Sequence, residues 1–435
     1  MNEQQDDLPR LNLYHNEIEP AIASKIESGD YEGALFAIAS GVASFNMIPY
    51  VFGHTLFLAG FDRLLLQLGQ RMHDDPEGKA EWTPGTARLI ILSEFYNSGG
   101  HSLVTADLVQ AMGGAVVVLT DLFGKYLKGT EKIETATERM PMAMVHRLQK
   151  LGIAEKVREL QTIFRAVRPQ SVMFMVHHPD PIAFVAAASL PRSVKKIFMH
   201  HCDHNPALGG TLEDYVHVDF TRHIQHFCEQ HLQRKSIVLP LFVEDRGVKT
   251  FSQPAPNAMN IVTAGSSTKY KFDGPFAYHL VVAEILAATG GHYWHIGSLG
   301  DAIPEFIRNA LRERGIDPAR FTYIPSVPSL WDTLKEIDAH VFLNSFPVAG
   351  VRGAIEVQGC GYPLVYFALD DRPPLLRHTE LFADLDLGWR SIPELIDKLK
   401  LAGENHAERV ARSRQFYLQG YGREVFMRAV DEVLS

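Results

Sequence analysis

Histidines and an aspartate follow one short apolar segment of the chain, and these residue types can move protons. The letters KKIFM at 195–199 are followed by HHCDH, which places His201, Asp203 and His204 together. A carboxylate beside an imidazole orients the ring and stabilises its protonated form, so the imidazole can take a proton from a hydroxyl group. We therefore predict that Asp203, with His201 or His204, is a general base. The alternative is a surface turn that Asp203 only caps, since the next residues, Asn205-Pro206, are typical of turns.

A metal-dependent hydrolase is another interpretation of the same residues. The HxHxDH motif of metallo-β-lactamase-like hydrolases would match at His201, Asp203 and His204, but Met199 stands where its first histidine belongs. A thioether is a poor zinc ligand beside imidazole and carboxylate. We therefore predict no metal site and no cofactor here.

A second group of residues has the chemistry of a diphosphate site. Gly265-Ser266-Ser267 follows an apolar segment and offers N–H and hydroxyl donors, while Lys269 and Lys271 offer positive charge. The loop is not a phosphate-binding loop of the GxxxxGK[ST] type. A solvated turn with two surface lysines is the alternative.

The segment NSFPVAGVRGAIEV at 344–357 carries further candidates. Gly350 and Gly353 bracket a helix start, where Arg352 could meet a phosphate or a carboxylate. Glu356 lies about one turn into that helix, and its two oxygens could accept from a vicinal diol of a sugar. Alternatively, Glu356 only complements the helix dipole.

A glycine loop, NSGGH at 97–101, follows another apolar run. Gly99 and Gly100 permit a tight turn and a close approach of backbone N–H groups to a phosphate, and a helix starting near Ser102 would add its positive end. We predict that Gly99, Gly100 and His101 contact a phosphate or an acceptor. An ordinary turn between a strand and a helix also uses glycine, and the full dinucleotide fingerprint is missing.

The segments that position these residues alternate between strands and helices. Such alternation, with apolar strand centres, predicts parallel sheets covered on both faces, in an α/β chain with two doubly wound units. Helices are predicted at 18–26, 32–43, 55–72, 101–112, 141–149, 153–167, 181–189, 221–232, 276–289, 302–314, 328–336, 351–360, 392–401, 404–417 and 423–434. Strands are predicted at 87–93, 115–120, 171–176, 195–199, 236–240, 259–264, 292–297, 321–325, 339–344 and 363–367.

Composition narrows the class of protein. The 435 residues predict two or three domains, and 46% apolar with 21% charged residues is typical of a soluble globular protein. A net charge of −9 argues against nucleic acid as a partner. Three widely spaced cysteines predict no disulfide framework and a reducing cytoplasm. The first residues lack the features of a secretory signal, so we expect a cytoplasmic protein, or one held peripherally at the inner face of a membrane.

The order of these features resembles the GT-B glycosyltransferases. The segment IPSVPSLWDTLKEIDAHVFLNSFP, with Glu356 and the phrase GCGYP at 359–363, resembles their donor-binding half. The loop GSSTKYKF at 265–272 resembles their diphosphate-contacting loop, and NSGGH resembles the glycine loop of their acceptor domain.

The resemblance implies two Rossmann-like domains facing each other across a cleft that holds a nucleotide-sugar donor and a glycan, protein, lipid-linked or small-molecule acceptor. Residues 1–85 would form a helical N-terminal region, 86–250 the acceptor domain, 251–415 the donor-nucleotide domain and 416–435 a crossover helix. Gly265, Ser266, Ser267 and Lys269 would bind the diphosphate. Arg352, Gly353 and Glu356 would surround the leaving group and the ribose or sugar.

Several alternatives remain open at this point. Many retaining members carry a glutamate eight positions before the one matched by Glu356, and Val348 stands there, so the stereochemical outcome is open. A sugar-nucleotide epimerase has the same architecture. A non-enzymatic helical-repeat adaptor with degenerate transferase domains is a third hypothesis, because Val348 replaces the expected acid. GDYEGALFAIASGV at 29–42 resembles one hairpin of such a repeat. The sequence does not specify the base of the donor, its sugar, the acceptor or the oligomeric state.

Overall fold

The computed structural model describes residues 14–48, 51–73, 82–96, 100–126, 128–129, 132–201, 204–255, 258–368, 373–377 and 379–435. These residues form two compact units. The first contains the described residues up to Pro240, Pro373–Leu375 and Met427–Ser435. The second contains those of Leu241–Arg372 and Leu376–Phe426. Among the described helices, none combines the length and the apolar character needed to cross a membrane.

The first unit begins with helices. A π-helical turn, Tyr14–Ile18, precedes α1 (Glu19–Glu27), α2 (Tyr31–Phe45) and α3 (Ala59–Arg71). Asp30 caps α2, since its side chain accepts a hydrogen bond from the Gly33 amide at 3.0 Å. Leu35 of α2 is buried in the same hydrophobic core as Leu89 of the following sheet. The N-terminal helices therefore pack on the sheet as part of one unit.

The first sheet is parallel throughout, with the strand order β3-β2-β1-β4-β5-β6-β7 among the described residues. Its strands are β1 Arg88–Leu92, β2 Ala115–Leu119, β3 Ala143–Arg147, β4 Ser171–Met175, β5 Lys195–His200, β6 Val216–Asp219 and β7 Ile237–Val238. Its helices are α4 Gly100–Ala111, α5 Ile133–Arg139, α6 Ile153–Val167, α7 Ile182–Ala186 and α8 Arg222–Leu232.

The second sheet is also parallel, with the order β10-β9-β8-β11-β12-β13. Its strands are β8 Met259–Ala264, β9 Gly290–Ile296, β10 Phe321–Ile324, β11 Val341–Leu343, β12 Leu364–Phe367 and β13 Gly388–Trp389. The remaining helices are α9 Tyr278–Thr289, α10 Ile303–Glu313, α11 Leu330–Glu336, α12 Val351–Gly359, α13 Ile392–Gly403, α14 His406–Gly420 and α15 Arg423–Leu434.

One predicted element is wrong, and three observed elements were not predicted. The helix predicted at 141–149 is instead β3, an edge strand whose residues alternate in exposure and pair with β2, for example Val145 with Val117. The helix α5 and the strands β6 and β13 were not predicted. β6 has only the letters VHVD and β13 only Gly388-Trp389, so neither shows an apolar run of ordinary strand length.

Both sheets reverse their strand order at one point. In the first sheet the reversal lies between β1 and β4, and in the second between β8 and β11. Ligands of open α/β sheets bind beyond the carboxyl ends of the strands at such a point. The residues after β1 and β4, and those after β8 and β11, are therefore where a site is expected in each unit.

Candidate active site

In the second unit, the loop after β8 is fixed to β9 through backbone contacts. The Gly265 amide donates to the carbonyl of Ile296 at 2.9 Å, and Nε2 of His295 lies 3.0 Å from the Gly265 carbonyl. Gly297 has φ +118°, and a β-carbon there would lie 2.5 Å from the Gly265 oxygen. Only glycine permits this close approach, so the backbone holds the Gly265 loop in place.

The serines of this loop have different environments. Ser266 is exposed, and its Oγ lies 2.8 Å from Oγ1 of Thr268. Ser267 is half-buried, and its amide donates to the Ser298 carbonyl at 2.8 Å. The Ser267 amide is therefore engaged within the fold, and a ligand would meet the serine hydroxyls.

The ammonium of Lys269 lies beside the start of α12. A β-carbon built on Gly350 would lie 3.3 Å from Nζ of Lys269. Gly350 is the N-cap of α12, and no side chain caps the helix there. Burial lowers the pKa of Lys269, and no hydrogen bond or ion pair of its side chain is found within the described part of the chain. A partly desolvated cation thus adjoins an uncapped helix N-terminus, a combination that favours an anion.

Asn344, directly after β11, shapes the turn that leads into α12. Its Oδ1 accepts from the amides of Ser345 at 3.0 Å and Gly350 at 3.1 Å. The Ser345 hydroxyl donates to the Val348 carbonyl at 2.8 Å. One turn further, a β-carbon on Gly353 would meet no atom within 4 Å. The start of α12 is thus held rigidly while the space beside Gly353 is open.

Arg352 and Glu356 extend this group along α12. Nη1 of Arg352 donates to the carbonyl of Phe242 at 2.5 Å, so part of its guanidinium is engaged by the chain itself. Oε1 of Glu356 accepts from the amide of Trp331 at 2.8 Å, near the start of α11. Burial raises the pKa of Glu356, against the effects of this hydrogen bond and of Arg352. Glu356 therefore stabilises the N-terminus of α11, a contact that its position in the sequence did not indicate.

In the first unit, polar side chains gather after β1 and β4. The Tyr96 hydroxyl donates to Oε2 of Glu94 at 3.3 Å and lies 3.1 Å from Nε2 of His177. Nζ of Lys125 donates to the same hydroxyl at 3.1 Å, and the Phe123 amide donates to Oε1 of Glu94 at 3.0 Å. Glu94 is fully buried, and this burial raises its pKa to about 7, helped by the nearby Asp180 charge. Glu94 is thus an acid that changes charge near neutral pH.

Three histidine rings adjoin this group. The ring centroids of His101 and His177 are 4.8 Å apart, and that of His201 lies 5.4 Å from His101 and 5.9 Å from His177. Burial lowers the pKa of all three, that of His177 to about 3. The three rings are therefore neutral at neutral pH and able to accept a proton.

Buried hydrogen bonds hold the strand ends beneath these rings. Oδ2 of Asp180 accepts from the hydroxyls of Ser93 at 2.6 Å and Thr120 at 2.5 Å, and its Oδ1 accepts from the Ile182 amide at 3.0 Å. The Ser93 hydroxyl in turn accepts from the His177 amide at 2.9 Å. This network joins the ends of β1, β2 and β4 and fixes the backbone that carries His177.

The structure separates the histidines that the sequence placed together. His201 joins His101 and His177, whereas the ring of His204 packs edge-on against Phe52 at 5.4 Å between centroids. Asp203 and Gly99 lie outside the described residues. Gly100 begins α4, and a β-carbon there would meet nothing within 4 Å.

Three residues of the first-unit cluster were missed as site residues in the sequence. Glu94 and Tyr96 follow β1 at its carboxyl end, which is a signal that could have identified them. Lys125 lies in the connection after β2, and its Nζ is 4.2 Å from the centre of the Tyr96 ring. No sequence pattern pointed to this last contact.

No protein-family model matches the chain, and no curated protein is significantly similar to it in sequence. Solved structures do share its fold. A mutant of the O-GlcNAc transferase of Thermobaculum terrenum is 15% identical, with a TM-score of 0.53 over 96% of this chain and 81% of that one. Anabaena HepE in complex with UDP is 12% identical, with a TM-score of 0.59 over 80% and 99%. The lipopolysaccharide outer core galactosyltransferase WaaB is 12% identical, with a TM-score of 0.58 over 80% and 99%.

These neighbours are glycosyltransferases with the GT-B fold. The chain therefore has the GT-B fold, with two α/β units built on parallel sheets, and the fold implied by the sequence resemblance is confirmed.

Proposed function

We propose that the protein is a glycosyltransferase that moves a sugar from a nucleotide-sugar donor to a hydroxyl or amide acceptor on a glycan, a protein, a lipid-linked molecule or a small molecule. The observation that carries this proposal is the approach of the Lys269 ammonium to Gly350 at the uncapped start of α12. This arrangement lies at the strand-order reversal of a GT-B fold.

The donor diphosphate fits the chemistry of this place. The amides at the start of α12 and the partly desolvated Lys269 would share the charge of two phosphates, while the hydroxyls of Ser266 and Ser267 would donate from the neighbouring loop. The same groups would stabilise the nucleoside diphosphate as it leaves, which is the charge that develops during transfer. We therefore expect no metal ion to be needed for this step.

The sugar and ribose would lie further along α12. The open space beside Gly353 gives them room, and Oε2 of Glu356 has no hydrogen-bond partner in the described part of the chain. A carboxylate oxygen there would accept from a sugar or ribose hydroxyl. Arg352 would add positive charge beside it.

Proton transfer would fall to the first unit. His201, with His101 and His177 beside it, is neutral and can take the proton of the acceptor hydroxyl. Glu94, whose pKa is about 7, would then stabilise the positive charge through His177 and the Tyr96 hydroxyl. The proposed pairing of Asp203 with a histidine, and the cytoplasmic location of the protein, remain predictions.

Binding of nucleoside diphosphates by calorimetry tests the donor assignment. UDP is the first ligand to try, because Anabaena HepE was solved with UDP and with UDP and glucose. We expect a nucleoside diphosphate to bind to wild type, and Lys269→Met to bind it more weakly. A chain that binds none of the common nucleoside diphosphates would overturn the proposal and favour a non-enzymatic adaptor. Conversion of a nucleotide sugar in the absence of any acceptor, with the diphosphate still attached, would instead show an epimerase.

A further inference from the structure

Four side chains with metal-ligating atoms meet inside the first unit, apart from the groups described so far. They come from three neighbouring elements: His200 ends β5, His217 and Asp219 belong to β6, and Cys228 lies in α8. All four are buried, with at most 1% of each residue exposed. The four candidate ligand atoms lie within 4.8 Å of one another.

Five of the six separations between these atoms are close to those in a tetrahedral coordination shell. Nδ1 of His200 lies 3.1 Å from Oδ1 of Asp219, 3.3 Å from Nε2 of His217 and 3.4 Å from Sγ of Cys228. Oδ1 of Asp219 lies 3.3 Å from Nε2 of His217 and 3.4 Å from Sγ of Cys228. Around a tetrahedral zinc ion with bonds of about 2.0–2.3 Å, neighbouring ligand atoms lie about 3.3–3.8 Å apart.

Hydrogen bonds among these four side chains cannot satisfy all of their donors. Nε2 of His200 and Nδ1 of His217 have no acceptor among the described residues, so both ring protons would have to lie on the inner nitrogens. His200, His217 and Cys228 would then all donate to Oδ1 of Asp219, and one carboxylate oxygen offers two lone pairs for the three donors. The same arrangement would bring the protons on His200 and His217 towards each other across 3.3 Å. A buried donor without an acceptor is costly, whereas a single cation satisfies all four atoms at once.

We propose that His200, His217, Asp219 and Cys228 hold one divalent transition-metal ion of the zinc type in a structural site. Two imidazoles, one thiolate and one carboxylate are ligands that zinc accepts, and four protein ligands leave no open position for a substrate. This departs from the expectation that the chain holds no metal. It does not depend on the proposed glycosyl transfer.

The surroundings of the cluster support a fixed geometry. The Ser236 hydroxyl donates to Oδ2 of Asp219 at 2.7 Å, which leaves Oδ1 for the metal. The ring of Phe198 packs against His200 at 5.4 Å and His217 at 5.0 Å between centroids. The outer nitrogens, Nε2 of His200 and Nδ1 of His217, have no hydrogen-bond partner among the described residues, so packing orients the rings.

Metal binding would have two consequences. Burial and the Asp219 charge raise the pKa of the Cys228 thiol, so binding would release its proton and weaken as pH falls. The ion would also tie β5 to β6 and α8 immediately before His201, whose ring contacts His101 and His177. Removing the metal should therefore lower the melting temperature.

Metal content and cobalt spectroscopy test the site directly. The full chain is expressed with added zinc, purified without chelators and analysed for metals, and a second sample is refolded with Co²⁺. The double variant Cys202→Ser/Cys360→Ser leaves Cys228 as the only one of the three cysteines. We expect one metal per chain in both proteins, with tetrahedral cobalt bands and a thiolate-to-cobalt charge-transfer band.

The variant Cys228→Ser should lose the charge-transfer band and bind metal at least about 10-fold more weakly, the smaller end of what changes around a metal site cost. If that variant fails to fold, the double variant still decides, because its charge-transfer band can arise only from Cys228. Wild type that is metal-free and shows no cobalt bands would overturn the proposal and leave a hydrogen-bonded cluster. A cobalt band that disappears in the double variant would overturn it as well.

Discussion

Nε2 of His177 lies 3.6 Å from Oε2 of the buried Glu94. The pKa of the acid is raised to about 7 and that of the imidazole is lowered to about 3, in both cases mainly by burial. Over most of the range between these values, both groups are uncharged, so the pair costs little to bury. A proton taken up by a neighbouring ring would make the ionised form of Glu94 more favourable. The first unit thus holds an acid whose charge can respond to catalysis.

The first prediction concerns Lys269→Met. Methionine fills the space without the charge, so we expect the affinity for a nucleoside diphosphate to fall by about 1.5–3 kcal/mol, or about 10- to 150-fold. The variant should be at least as stable as wild type without ligand, because it removes a partly buried cation that has no hydrogen-bond or ion-pair partner among the described residues. Calorimetry and thermal unfolding of the same samples measure both effects.

Lys271→Met is the matched control. Lys271 is exposed two residues further along the chain, and we expect nearly unchanged binding. Equal losses in both variants would mean that general positive charge, and not the position beside Gly350, attracts the ligand.

Much of the fold was predictable because buried parallel strands are continuous apolar runs. The strand predicted at 259–264 and the helix predicted at 153–167 have the bounds observed for β8 and α6. β3 was not predictable in this way. Its residues AMVHR include good helix formers, and only pairing with β2 makes them a strand.

Site residues that lie in a recognisable loop could be predicted from the sequence, whereas contacts between residues distant in sequence could not. Lys269 and Gly350 were each named from their own loops, but their approach depends on the pairing of β8 with β11. No sequence motif surrounds Glu94. Its perturbed pKa comes from burial beneath residues distant in sequence, which a single sequence does not report.

The second prediction concerns Glu356→Gln. Glutamine keeps an acceptor for the Trp331 amide and removes a charge that burial disfavours, so the melting temperature without donor should not fall. If Oε2, which has no hydrogen-bond partner among the described residues, binds a sugar or ribose hydroxyl, the KM for the donor should rise, because a charge-assisted hydrogen bond is lost.

Asp332→Asn is the control. Asp332 is another acid in the first turn of α11, and the Ser329 hydrogen bond and Arg246 lower its pKa, so its loss should lower the melting temperature. We expect the donor KM to change in Glu356→Gln alone. A donor KM and kcat at wild-type values in Glu356→Gln would restrict this residue to stabilising α11.

The third prediction compares His201→Asn with His204→Asn. Of these two histidines, His201 is the one whose ring adjoins those of His101 and His177, and we expect its loss to lower kcat by about 10²–10⁴-fold with nearly unchanged donor affinity. His204→Asn should keep most of its activity, since that ring packs on Phe52. Steady-state kinetics at a saturating donor concentration compare kcat in the two variants. Their melting temperatures show whether each variant is folded. A large loss in His204→Asn with a normal His201→Asn would reverse the assignment.

The fourth prediction concerns Glu94→Gln and pH. The pKa of Glu94 is raised from 4.5 to about 7, so below pH 4.5 the carboxyl is protonated in both the folded and unfolded states. Between pH 4.5 and 7 the unfolded state loses this proton while the folded state keeps it. The unfolded state then binds fewer protons, and the free energy of unfolding of wild type falls as pH rises. Above pH 7 the cost reaches its full value of about 3 kcal/mol.

Glutamine stays neutral at every pH and avoids this cost. Relative to wild type, Glu94→Gln should therefore gain stability as pH rises from 4.5 to 8, by about 3 kcal/mol in total. Chemical denaturation at pH 5 and pH 8 measures this gain, with the exposed Glu138→Gln as a control that should show almost none. A difference between Glu94→Gln and wild type that is the same at both pH values would show that Glu94 ionises normally. Because the variant cannot become negative, we also expect kcat to fall while stability rises.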